Sequence, residues 1–222
     1  GLNELKAFTV DENNRYYSAR EGLLYDKEGT KLIAVPAGIT GSLTVDEDVK
    51  AIGVGAFENT ALSEINFEDN CNVLTFGYRA FFGAKNLTEI TIPASVLSID
   101  YYAFANCENL VTVNFEPESN LTGLYEGAFY GCKSLQNIML PDSIVEISDF
   151  CFYGCMSLTK LPVPATAELR GIYSYACQRC KNHRLGYYHY CCRRYHNATN
   201  SRGYQPRTGS RCTYGIRHQQ DR

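Results

Sequence analysis

The first 182 residues contain no histidine; His183, His189, His196 and His218 all lie beyond them. A serine or cysteine nucleophile in that stretch would have to borrow its imidazole base from the tail. There is also no G-x-S-x-G, no phosphate-cradling P-loop, no H-E-x-x-H and no glycine-rich nucleotide turn. Acidic neighbours such as Glu47/Asp48 and Glu116/Glu118 read as solvated loop charges. These absences argue against an enzyme and point to no cofactor. No run approaches 18 apolar residues, which excludes a spanning helix. The opening GLNELKAF has neither the basic nor the apolar region of a signal peptide. Instead, Leu5 followed by KAFTV matches the end of a repeat described below, so the chain is expected to begin inside a longer array, with Gly1 a cloning remnant.

Other absences are local. No Phe follows Phe152, no Val follows Val163 and no Glu follows Glu168. Charge divides at the same place. Residues 1–170 hold 11 Lys+Arg against 23 Asp+Glu, a net of −12, and residues 171–222 hold 10 against 1, a net of +9. The formal net charge of −3 therefore conceals two opposed segments.

What is present before that boundary is a phrase said five times. FYGC-x-SL at 129–135 returns at 152–158, and its closing leucine stands at Leu62, Leu87, Leu110, Leu135 and Leu158, at spacings of 25, 23, 25 and 23. Phenylalanine keeps step at Phe57, Phe81, Phe104, Phe129 and Phe152. A small residue precedes each: Ala56, Ala80, Ala103, Ala128, then Cys151. A fixed period in the twenties is the signature of a solenoid, in which no single unit can bury its apolar face alone. After each leucine runs an alternating segment: SEINF, TEITI, VTVNF, QNIML, TKLPV. Strand side chains alternate between faces, so Ile65/Phe67, Ile90/Ile92, Val113/Phe115, Ile138/Leu140 and Leu161/Val163 are expected inward. Outward lie Glu64 and Asn66, Glu89 and Thr91, Thr112 and Asn114, Asn137 and Met139, and Lys160. The 25-residue copies carry two extra residues just after the strand.

Ten cysteines invite a disulfide or zinc reading. Position argues otherwise for four of them. Cys107, Cys132, Cys155 and Cys180 share one repeat slot that Thr60 and Ala84 fill in earlier copies, as a small buried side chain would. In the tail, Cys177-x-x-Cys180 with His183, His189, Cys191, Cys192 and His196 resembles a zinc pattern. Cys180 already belongs to the slot, Cys177 stands where the repeat expects its Phe, and no second C-x-x-C follows, so no metal is expected. Asn86, Asn120 and Asn197 fit the short Asn-x-Thr glycosylation pattern. The tail's arginines and tyrosines, as in GYYHYCCRRYHN, could pair with phosphates and stack on bases, but basic tails often do nothing specific, and no nucleic-acid partner is expected.

The phrases AFANCENLVTVNF, AFYGCKSLQNIMLPDSIVEI and FCFYGCMSLTKLPVP resemble the BspA-like leucine-rich repeats of bacterial surface proteins. The segment FTVDENNRYYSAREGLLYDKEGTKLIAVPAGITG looks like the β-hairpin insertion common in that family. RYYSA, GLLYD and KLIAVPA are strand-like, and DKEGT is a turn with Gly29 available for positive φ. The resemblance covers residues 1 to about 182. It implies an α/β-type repeat solenoid: a right-handed superhelix of short parallel strands with irregular or short helical returns, a parallel sheet on its concave face, and a β-hairpin insertion over about 13–40. It implies export to the cell surface and a protein or glycan ligand, met by the outward strand residues named above. A monomer is expected. The rival reading is an accessory repeat module of a larger secreted hydrolase or peptidase. Residues 183–222 form a separate basic tail of unknown fold. They are either an evolved tail that docks on the acidic solenoid or an anionic surface, or an out-of-frame reading of further repeats. The abrupt loss of register favours the second, and translating codons 175–222 in the other two frames decides between them.

Overall fold

The computed structural model describes residues 4–170. Every strand in it is short, because each crosses only one edge of a coil before the chain turns. The strands are β1 (Tyr17–Arg20), β2 (Leu23–Asp26), β3 (Lys31–Ala34), β4 (Thr40–Val45), β5 (Ala51–Ile52), β6 (Ala61–Phe67) and β7 (Thr75–Phe76). They continue with β8 (Glu89–Ile92), β9 (Ser98–Ile99), β10 (Thr112–Phe115), β11 (Gly123–Leu124), β12 (Asn137–Ile138), β13 (Glu146–Ile147) and β14 (Glu168–Leu169).

Each repeat is one rung with three sides. The first side is the alternating strand: β4 pairs β6 in parallel, and β8, β10 and β12 form a second parallel ladder. The second side is the return segment. Its two-residue strands β5, β7, β9, β11, β13 and β14 join edge to edge in parallel, with Ile52, Phe76, Ile99, Leu124 and Ile147 in register. The third side is the aromatic corner. Inside, Phe57, Phe81, Phe104, Phe129 and Phe152 are all fully buried, as are the closing leucines from Leu87 to Leu135. The inward strand pairs lie where alternation puts them, although Phe67, Phe115, Leu161 and Val163 are only partly buried against the core.

The expected short helical returns are corrected: among the described residues there is no helix. The reason lies in where the corner's N–H groups go. Phe57 N–H donates to Ala80 O, Phe81 to Ala103, Phe104 to Ala128 and Phe129 to Cys151, at 2.7–2.9 Å, each to the next rung. The alternate N–H groups close i→i−3 turns, such as Glu58 N–H to Gly55 O. A helix would need every N–H for itself. Two left-handed positions frame each corner and break any α run. The residue two after the Phe has positive φ in all five copies: Asn59, Gly83, Asn106, Gly131 and Gly154. These are the residue types that adopt that region at least cost.

The N-terminal insertion also differs in detail. β1 and β2 are antiparallel around a two-residue turn at Glu21 and Gly22, both at positive φ (50° and 80°), as a type I′ hairpin turn requires. The pair is not a separate appendage. β2 pairs antiparallel with β3, and β3 pairs in parallel with β5. Leu32, fully buried and in register with Ile52, supplies the same inward position as the later rungs. Hairpin and return strands thus make one nine-stranded sheet.

Candidate functional site

The outward face of the alternating strands is built by register. Glu89, Thr112 and Asn137 are direct partners across β8, β10 and β12, as are Thr91 and Asn114. On β6, Glu64 and Asn66 partner Ser42 and Thr44 of β4. Two rows of polar side chains therefore run across the rungs, interrupted between β6 and β8, where the ladder breaks. Of the residues expected to form this stripe, Glu64, Asn66, Glu89, Thr91, Asn114, Asn137, Met139 and Lys160 are exposed, and Thr112 is half-buried. Met139, 71% exposed, lies one residue past β12, and Lys160 lies where no strand is formed. The sequence reading missed Ser42 and Thr44. The alternation of GSLTV was visible, but no aromatic corner and closing leucine precede it, because the insertion occupies that place.

Within the stripe the amides hold the carboxylates. Asn66 Nδ2 donates to Glu64 Oε1 at 2.8 Å, and Asn114 Nδ2 donates to Glu89 Oε1 at 2.6 Å across the rungs. Charge-assisted bonds of this kind orient the acceptor. The result is a surface of carboxyl, amide and hydroxyl groups with its hydrogen-bonding atoms turned outward. It can pair with the polar groups of another molecule, and it holds no nucleophile backed by a base.

The cysteine slot is structural. Cys107, Cys132 and Cys155 are buried, and each thiol donates to a phenylalanine carbonyl one rung back: Phe81 and Phe104 at 3.1 Å and Phe129 at 3.2 Å. Burial raises the Cys132 pKa well above the usual thiol value. Cys151, buried likewise, is pushed up to about 12. Neutral thiols of this kind are poor nucleophiles and poor metal ligands. Among the described residues, no group of three or more His, Cys, Asp or Glu side chains could hold a metal ion. The tail's cysteines and histidines lie outside the described residues, as does Asn197. Asn86 and Asn120 spend their side-chain amides on the carbonyls of Ala61 and Ala94, each one rung back, at 3.0 Å. Among the described residues no helix is long and apolar enough to cross a membrane.

Stacked rungs with a continuous aliphatic and aromatic core, an alternating strand on one side and a fixed repeat of 23–25 residues define a leucine-rich-repeat solenoid. The chain belongs to the BspA type leucine rich repeat family, whose model matches residues 39–123 and 114–188 in six copies. Among solved structures, it is similar to a leucine-rich repeat protein from Eubacterium ventriosum ATCC 27560, at 28% identity and a TM-score of 0.60, over 78% of this chain. The chain spans about half, 52%, of the length of that protein. It is also similar to the leucine-rich repeat protein of T. pallidum, at 22% identity and a TM-score of 0.47, over 69% of this chain and 63% of that one. A leucine rich cell surface protein from Faecalibacterium prausnitzii A2-165 matches over 64% of this chain and 52% of its own, at 22% identity and a TM-score of 0.34. No curated protein sequence matches the chain.

Proposed function

We propose that the chain is a non-enzymatic binding scaffold that meets a protein or glycan through its outward strand face, displayed outside the bacterial cell as the family resemblance implies. The observation that carries the reading is the pair of registered rows. Hydroxyl, amide and carboxyl groups recur across the rungs on a rigid ladder, and extended solenoid faces of this type serve recognition. The stripe suits a partner with repeated polar groups of its own. A glycan and host-protein array supplies the ligand. Replacing both Thr91→Arg and Asn114→Arg then places two long cations on the stripe without touching the core. Binding of the array ligand is expected to be lost while the melting midpoint stays unchanged. Unchanged affinity would move the site off this face.

A further inference from the structure

At one end of the strand face the ladder is open. β4 pairs with β6 on one side, and among the described residues no strand pairs its other edge. The segment that should do so peels away. Leu5 still runs beside β4's approach, its carbonyl accepting Gly38 N–H at 2.9 Å. Three residues later Phe8 N–H donates instead to Gly22 O at 2.8 Å, in the β1–β2 turn. The two paths diverge like a fork, and between them lies a cavity of about 490 Å³ lined along one wall by three successive residues of β4: Ser42, Leu43 and Thr44.

Strand edges are normally blunted by lysine, proline or a bulge. β4's register shift lies at its start, between Gly41 and Ser42. From Ser42 to Val45 the strand runs regularly and carries neither charge nor proline. The rest of the lining mixes Leu23, Tyr25 and Ile39 with five charged residues, Glu21, Asp46 and Glu68 against Lys6 and Arg20. Both cations are already engaged within the protein. Lys6 Nζ donates to Gly38 O at 2.5 Å. Arg20 lies over the Tyr25 ring at 4.4 Å, donates to Gly29 O at 2.8 Å and pairs with Asp46 at 3.3 Å. Asp46 is spent on Arg20, and Glu68 Oε2 accepts the Glu47 N–H at 2.9 Å. Three carboxylates against two cations leave the lining with one surplus negative charge.

We infer that this fork accepts an extended peptide segment bearing a basic side chain, which adds to the free edge of β4 as a further strand. Main-chain hydrogen bonds to the edge supply affinity without sequence preference, and alternate side chains reach the walls. The carboxylates select lysine or arginine there. The volume falls within the range of ordinary ligand clefts. This inference goes beyond the stripe reading, because it needs only the β4 edge and the fork.

The test uses the full 222-residue chain and two pools of alternating Val/Thr heptapeptides, one with Lys and one with Glu at the variable positions. The Lys pool is expected to be retained and the Glu pool not. Backbone N-methylation of a retained peptide should weaken it by about tenfold or more, since main-chain pairing carries the affinity. Ser42→Trp, which plugs the fork from an exposed position, should do the same, with a melting midpoint measured alongside. Glu68→Lys provides a second variant should the first fold poorly, and should reduce the preference for Lys over Glu by about fivefold or more. Retention of neither pool, or of both equally, overturns the inference, as does binding indifferent to N-methylation or to the variants. Self-association of the chain that disappears in Ser42→Trp would place a second copy in the fork and also overturn it. The stripe is tested with the array ligand and the fork with peptides on the unaltered chain, so either reading can fail alone.

Discussion

Gly127 and Gly123 stand four residues apart and answer to different constraints. Gly127 has a φ of +65°, and a Cβ there would lie 2.4 Å from the Tyr102 ring. Gly123 has no such φ, and a Cβ there would meet nothing within 4 Å. Gly127→Ala should therefore cost about 1–3 kcal/mol, from backbone strain plus the clash, while Gly123→Ala should stay within about 0.5 kcal/mol of neutral or slightly stabilise. Paired urea melts check this, and equal losses would mean the turn has room to relax. Tyr102 itself bridges two rungs, its hydroxyl donating to Glu126 Oε1 at 2.6 Å. That bond first, and burial second, raise its pKa from 10.0 to about 12. Burial, then Asp46, push Tyr25 up to about 12 as well. Both folded-state values are raised, so the folded chain holds these protons more tightly than the unfolded one. The associated stability is complete below pH 10 and is lost as pH rises through about 12. Denaturation midpoints over this range should fall more steeply for the wild type than for Tyr102→Phe. Parallel slopes would show that the Tyr102–Glu126 bond contributes nothing.

The corner element owes its regularity to stacking. Successive phenylalanine rings lie 4.9, 4.6, 5.2 and 5.6 Å apart from Phe57 to Phe152, with interplanar angles of 12° or less. These separations follow from the spacing of hydrogen-bonded strands, about 4.8 Å, and leave the rings near van der Waals contact. Phe104 and Phe129 are fully buried between neighbours on both sides. Truncating either to Ala should cost about 3–5 kcal/mol, the transfer of the ring plus the cavity it leaves. Thr91→Ala, on the exposed face of β8, should remain within about 0.5 kcal/mol of neutral. Similar losses for all three would contradict the inward and outward assignment. This element was largely legible in advance, because Phe, small residue, slot and closing leucine each recur at one spacing. What the spacing did not reveal was the backbone conformation between them. A run such as AFYGCKSL is compatible with a helical turn by composition. The choice of turns over helix was made by the neighbouring rungs, whose carbonyls take every other N–H group.

At the scale of the whole molecule, each rung contacts mainly the rungs before and after it, so the core is a column and its walls are ladders. The sequence by itself determined the period, the inward and outward alternation of the strand residues from Glu64 to Met139, and the burial of Cys107, Cys132 and Cys155. All of these follow from a pattern repeated often enough to be read without knowing any long-range partner. Tertiary structure alone decided the rest. The N-terminal strands became the leading edge of the nine-stranded sheet because Leu32 could take the core position in front of Ile52. The stripe gained Ser42 and Thr44 because β4 pairs with β6 despite lacking the corner phrase. The fork beside β4 exists because Phe8 bonds to Gly22 rather than continuing along the strand. Each of these depends on which distant backbone group a single residue finds. A periodic pattern cannot encode such a choice, because it happens once, at the place where the period is broken.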